Sequence, residues 1–120
     1  MKKDSSLVTA IITTKNEALV IKRLIDSILK QSYRNIEIIL VDNNSTDKTK
    51  QIAKNMGLQV LNKGPERSAQ RNFGVKKSHG RYFMILDADM ELQKDVVKEC
   101  IEIIEKNCLF KNARKDNFKK

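Results

Sequence analysis

Two aspartates, Asp87 and Asp89, stand either side of Ala88 directly after the apolar run Tyr82-Phe83-Met84-Ile85-Leu86. Hard oxygen ligands of this kind suit Mg2+ or Mn2+, which one or two carboxylates commonly hold together with substrate phosphates. An extended backbone would point both carboxylates the same way, whereas a bend would split their roles. Acidic residues also fill turns and cap helices, so the pair alone is equally consistent with local structure. Two further polar clusters follow apolar runs: Thr13-Thr14-Lys15-Asn16-Glu17 and Asp42-Asn43-Asn44-Ser45. Asp42 reads first as a turn and capping residue, although its acceptor-only carboxylate could also take the N–H of a pyrimidine base.

The elements that would position these residues alternate regularly. Leu7 to Thr13, Ile36 to Val41, Leu58 to Leu61 and Tyr82 to Leu86 are short, apolar and mostly β-branched or aromatic, as buried strands are. Between the first two, Ile21, Leu24, Ile25 and Ile28 recur at helical spacing, in a helix expected to stop near Gln31. Ile52, Ala53 and Met56 mark a second helix, with Gly57 where a left-handed terminal residue is favoured. A third, mostly polar helix runs from Pro65, placed in its first turn, to about Lys77. Val97, Cys100, Ile101 and Ile104 predict a last amphipathic helix, with Cys100 in the core and order ending near Asn107. Strands alternating with helices imply right-handed βαβ units and a parallel sheet. The expected fold class is α/β, a Rossmann-like three-layer α/β/α domain with a mainly parallel sheet. Ligands of such sheets bind beyond the carboxyl ends of the strands, where all three polar clusters fall.

Composition narrows the function. The 120 residues carry a formal net charge of +9, from 24 Lys and Arg against 15 Asp and Glu, so an anionic partner is plausible. Much of the excess lies in Lys111, Arg114, Lys115, Lys119 and Lys120, read as a flexible basic tail over 108–120. Nucleic acid is a weak alternative, because aromatic residues make up 5% and no recognition motif is present. Cys100 and Cys108 form no C-x-x-C pair and lack a histidine cluster, which fits reduced thiols in the cytoplasm. Apolar runs are far below the roughly 20 residues of a membrane span. Neither a G-x-G-x-x-G fingerprint nor a P-loop follows any strand. Histidine is a common general base, but His79 lies in the turn before the fourth strand, away from the carboxyl ends.

The segments TAIITTKNEA, EIILVDNNSTDKT and RNFGVKKSHGRYFMILDADMEL together resemble the family 2 glycosyltransferases in order and spacing, over about Leu7 to Ile104. The resemblance implies the GT-A fold and a domain over 7–107 that binds a nucleoside-diphosphate sugar, UDP- or GDP-linked, behind an N-terminal extension 1–6. It implies that Thr13, Glu17 and Asp42 line the nucleoside pocket, and that Arg67 and Arg71 lie near the nucleotide. It further implies Asp89 as the ligand of a divalent metal, Mg2+ or Mn2+, with Asp87 contacting ribose or assisting at the metal. The implied reaction is hexosyl transfer to an acceptor hydroxyl, usually with inversion. No residue here resembles the family's general base: Glu91, Asp95, Glu99, Glu102 and Glu105 belong to the turn or the last helix. The acceptor site and base are therefore expected outside these residues, leaving a truncated GT-A domain. The competing reading is a module that binds nucleotide sugar without transferring it. A cytoplasmic location, peripheral to a membrane, and self-association through exposed strand edges complete the expectations.

Overall fold

The computed structural model describes residues 6–106. The basic stretch 108–120, Cys108 and most of the N-terminal extension lie outside the described residues. Eight elements alternate: β1 (Val8–Thr14), α1 (Ile21–Leu29), β2 (Ile36–Asp42), α2 (Thr49–Asn55), β3 (Gln59–Asn62), α3 (Arg67–Lys77), β4 (Tyr82–Asp87) and α4 (Val96–Lys106). The strands form one parallel sheet in the order β3-β2-β1-β4. The expected three-layer α/β architecture is observed, with element boundaries differing by a residue or two.

The order of the strands explains where each helix lies. From β1 the chain steps outward to β2 and β3, then returns past β1 to β4. Right-handed crossovers taken in opposite directions put their helices on opposite faces. Ala10, Ile12 and Leu40 accordingly pack with Ile21, Leu24, Ile25 and Ile28 of α1 and Ala53 of α2. Val97 and Ile101 of α4 join the same side against Val8. On the other side Ile11, Ile39 and Val41 meet Phe73 and Val75 of α3.

Period-two alternation produces this division, because β1 is buried on both faces. In α1 the four apolar positions read from the periodicity are all buried. Gly57 has φ +88°, the left-handed value that ends α2 without a Cβ penalty. Two expectations need correction. Helix α3 begins at Arg67, after a cis Gly64–Pro65 peptide and an extended Glu66, so Pro65 is not in its first turn. Cys100 is exposed, because α4 buries Val97 and Ile101 and turns Cys100 outward.

Candidate active site

The register puts the candidate residues at one edge. Thr13 of β1 is opposite both Val41 of β2 and Asp87 of β4, and Thr14 is opposite Asp42. Strand order reverses at β1, so the crevice between Thr13 and Asp87 is the topological switch point of the sheet, where open α/β sheets take ligands.

Alternation then divides the candidates between the two faces. Thr13 and Asp87 share a face with Ile11 and Val41, the side that α3 covers. Helix α3 brings Arg67 and Arg71 to that side, and an Arg67 Nη1 lies 3.8 Å from an Asp87 carboxylate oxygen. Both partners are half exposed, so water screens the pair and it holds little stabilisation. Thr13 is only 2% exposed, yet its hydroxyl has no hydrogen-bond partner among the described residues. The Arg71 Nε is buried and equally unpartnered. Buried polar atoms are nearly always satisfied, so both atoms keep hydrogen-bonding capacity for a group outside the chain.

Asp42 and Thr14 fall on the opposite face, towards α1 and α2. Asp42 is fully buried and serves as the hub of its loop. It accepts from the Thr14 hydroxyl at 2.6 Å, the Ser45 hydroxyl at 2.6 Å and the Ser45 N–H at 2.7 Å. The turn-forming reading of Asp42 is thus the one its bonds express. These three bonds leave one of the carboxylate's roughly four acceptor sites open. Glu17 is half buried, and its N–H donates to the Thr49 hydroxyl while its carbonyl accepts the first amides of α1.

The loops after β1 and β2 are locked together. Asn16, in left-handed backbone at φ 54°, accepts the Thr46 N–H at 2.8 Å and donates its own N–H to the Ser45 hydroxyl at 2.7 Å. Asparagine tolerates this conformation better than most residues. Asp47 accepts from the Thr49 hydroxyl and from the amides of Thr49 and Ala18, which hold its carboxyl below the ordinary aspartate range.

Between Asp87 and Asp89 the chain bends instead of continuing the strand. The Met90 N–H donates to the Asp87 carbonyl at 3.0 Å, closing a turn around buried Ala88 and Asp89. Asp89 is exposed and Asp87 half buried, so the two carboxylates occupy different environments. No group of three or more His, Cys, Asp or Glu side chains able to hold a metal occurs among the described residues. This donor set matches a cation held by one or two carboxylates plus substrate phosphates, and not an all-protein cage.

Sequence reasoning overlooked Gln70. Its buried amide donates to the carbonyls of Thr14 at 3.1 Å and Val41 at 2.8 Å, joining the ends of β1 and β2 from α3. Its position one residue before Arg71, in a helix with a thin apolar face, was the available signal. His79 is confirmed at the opposite sheet end, where it pairs with Glu37 at 2.7 Å. A groove of about 730 Å³ runs beside the site between α1 and the segment after Asp89, with Arg23, Ser27 and Lys30 on one wall and Glu91, Leu92 and Lys94 on the other.

Known proteins are similar to this chain in sequence and fold. The family model described as glycosyl transferase family 2 matches residues 9–112. The glycosyltransferase GlyG of Streptococcus pneumoniae is 37% identical over 103 residues, covering 79% of this chain and 32% of its own length. An uncharacterised Haemophilus influenzae glycosyltransferase is 33% identical over 112 residues, covering 86% of this chain and 44% of its own. Among solved structures, Staphylococcus aureus TarS in complex with UDP-GlcNAc superposes with a TM-score of 0.76 at 27% identity, over 84% of this chain and 32% of that one. The mannosyltransferase PcManGT of Pyrobaculum calidifontis, in complex with GDP-Man and Mn2+, gives 0.74 at 26% identity, over 83% and 32%. The chain therefore spans less than half the length of these relatives. With the family model matching most of its residues and the fold shared with these solved structures, the chain belongs to the family 2 glycosyltransferases.

Proposed function

We propose that residues 7–107 form a domain that binds a UDP- or GDP-sugar together with Mg2+ or Mn2+, for hexosyl transfer to an acceptor hydroxyl with inversion. The observation that carries this reading is the switch point, where the orphan Thr13 hydroxyl and the Asp87 carboxylate stand on neighbouring strands and Arg67 of α3 reaches Asp87. The ligands named with TarS and PcManGT, UDP-GlcNAc and GDP-Man with Mn2+, are of the class such a site would take.

Each residue has a role in this proposal. Asp89, exposed on the turn, would hold the cation, with Asp87 as second carboxylate or ribose contact. The cation, when bound, supplies positive charge to the departing diphosphate. Arg67 and the unpartnered Arg71 Nε offer donors to the nucleotide's anionic portion. Thr13, Glu17 and Asp42 would line the nucleoside pocket, with Asp42 also organising the loop that borders it. The acceptor site and general base are proposed to lie on the part of the relatives' length that this chain does not span.

Calorimetric titration of UDP and GDP, with and without Mn2+, into the wild-type chain and an Asp89→Ala variant tests the reading. Metal-dependent binding is expected in the wild type and lost in the variant. Absence of nucleotide binding to the folded wild-type chain would overturn it. Binding without sugar transfer to any acceptor would instead favour a non-catalytic module.

A further inference from the structure

The segment that leads from Asp89 into α4 is fastened to α1 by side chains spaced four residues apart. Arg23 donates from Nη2 to the Asp89 carbonyl at 2.9 Å. Ser27 accepts the Leu92 N–H at 3.0 Å. Gln31, just beyond the end of α1, donates to the Gln93 carbonyl at 2.6 Å and accepts the Val97 N–H at 3.0 Å. Positions i, i+4 and i+8 stack on one side of a helix, so this row meets one continuous stretch of backbone. Ser27 and Gln31 are buried and satisfy backbone groups that would otherwise be stranded.

Arg23 differs from its two neighbours in the row. It is half exposed, it stands at the end nearest the switch point, and the carbonyl it holds belongs to Asp89 itself. Its Nε also lies 3.8 Å from the Glu91 carboxylate, so one planar guanidinium spans the residues on either side of Met90. Within the turn the Met90 N–H donates to the Asp87 carbonyl and the Asp87 N–H to the Met90 sulfur, a weak acceptor. Glu91 also offsets the guanidinium charge, which would otherwise repel a cation nearby.

We propose that Arg23 is a positioning residue for the cation site. By fixing the peptide that follows the Asp89 side chain, it narrows the arc through which that carboxylate moves and so pre-organises the metal ligand. This rests on the reading of Asp89 as the metal-binding carboxylate. It makes no use of contact between Arg23 and the nucleotide.

The test is titration of MnCl2 with UDP, and with GDP, into the 120-residue chain and its Arg23→Ala, Arg23→Lys and Asp89→Ala variants. Each is repeated without metal and accompanied by a thermal melt. Arg23→Ala is expected to weaken the metal-dependent part of binding about tenfold, the low end for loss of an outer-sphere partner. Metal-free nucleotide binding and Tm should be unchanged, and Arg23→Lys should recover part of the loss because it keeps the charge but not the fork. If Arg23→Ala binds like wild type while Asp89→Ala fails, the positioning role is overturned and the site reading stands. If Asp89→Ala also binds like wild type, or the wild type has no metal-dependent component, the site reading itself falls. Equal losses with and without metal, together with a lower Tm, would make Arg23 a purely structural contact and overturn the proposal.

Discussion

Thr13 stands out among the buried hydroxyls at the carboxyl ends of the strands, since Thr14 bonds Asp42 and Thr49 bonds Asp47 while Thr13 bonds nothing described. Leaving a buried polar group unsatisfied costs roughly 1–3 kcal/mol, a cost removed when a polar group from outside the chain bonds it. At the other end of the sheet the polar groups are fully engaged. Glu37 is partly buried, which raises its pKa, but bonds from the His79 ring, the Thr9 hydroxyl and the His79 amide outweigh that and hold it below the ordinary glutamate value. A depressed carboxyl contributes stability above its unfolded pKa and loses it as pH falls through the folded value. His79→Ala should therefore lower Tm at neutral pH, and the gap from wild type should close as pH drops below about 4.3, the unperturbed glutamate value. Melts across a pH series check this, and a gap that persists at acid pH would refute it.

Helix α3 does more for the site than its polar sequence implies. It carries Arg67, Gln70 and Arg71, yet packs on the sheet through little beyond Phe73, Val75 and the close approach allowed by Gly74. A Cβ at Gly74 would fall 2.6 Å from the Ile11 Cγ2 and 3.2 Å from a Val41 methyl, both inside the core. Gly74→Ala should therefore destabilise the chain by about 1–3 kcal/mol, the usual cost of overpacking, despite alanine's better helix propensity. Urea denaturation measures the change, and a neutral or stabilising result would show that α3 can shift outward at no cost. Any shift would also move Gln70 from the Thr14 and Val41 carbonyls, so nucleotide affinity should fall with stability.

At the scale of the molecule, β4 is an edge strand with β1 as its one neighbour among the described residues. Helix α3 covers β1 and β2 but leaves the same face of β4 open, where Phe83 is 42% and Ile85 37% exposed. An apolar edge of this kind is a template for pairing with another chain. The 120-residue chain is expected to self-associate in sedimentation velocity as its concentration rises, and a Phe83→Lys, Ile85→Lys double variant to remain monomeric. A wild-type chain that stays monomeric throughout would refute this. Among the described residues no helix is long and apolar enough to cross a membrane.

The sequence by itself determined the alternation of strands and helices and the parallel sheet, because buried strands and the α1 stripe follow local periodicities that need no partner to be read, while the family came from the resemblance of three motif segments. It also identified the residues that end each strand, since polar clusters after apolar runs are local signals. Tertiary structure decided which of them meet. Strand order brought Thr13 beside Asp87 across 74 positions of sequence and set Asp42 on the other face, because side-chain direction depends on register and crossover direction. It turned Cys100 outward, because a helix face is chosen by what it packs against. It also assigned work to Arg23 and Gln70, whose partners are backbone carbonyls that exist as neighbours only after the chain has folded.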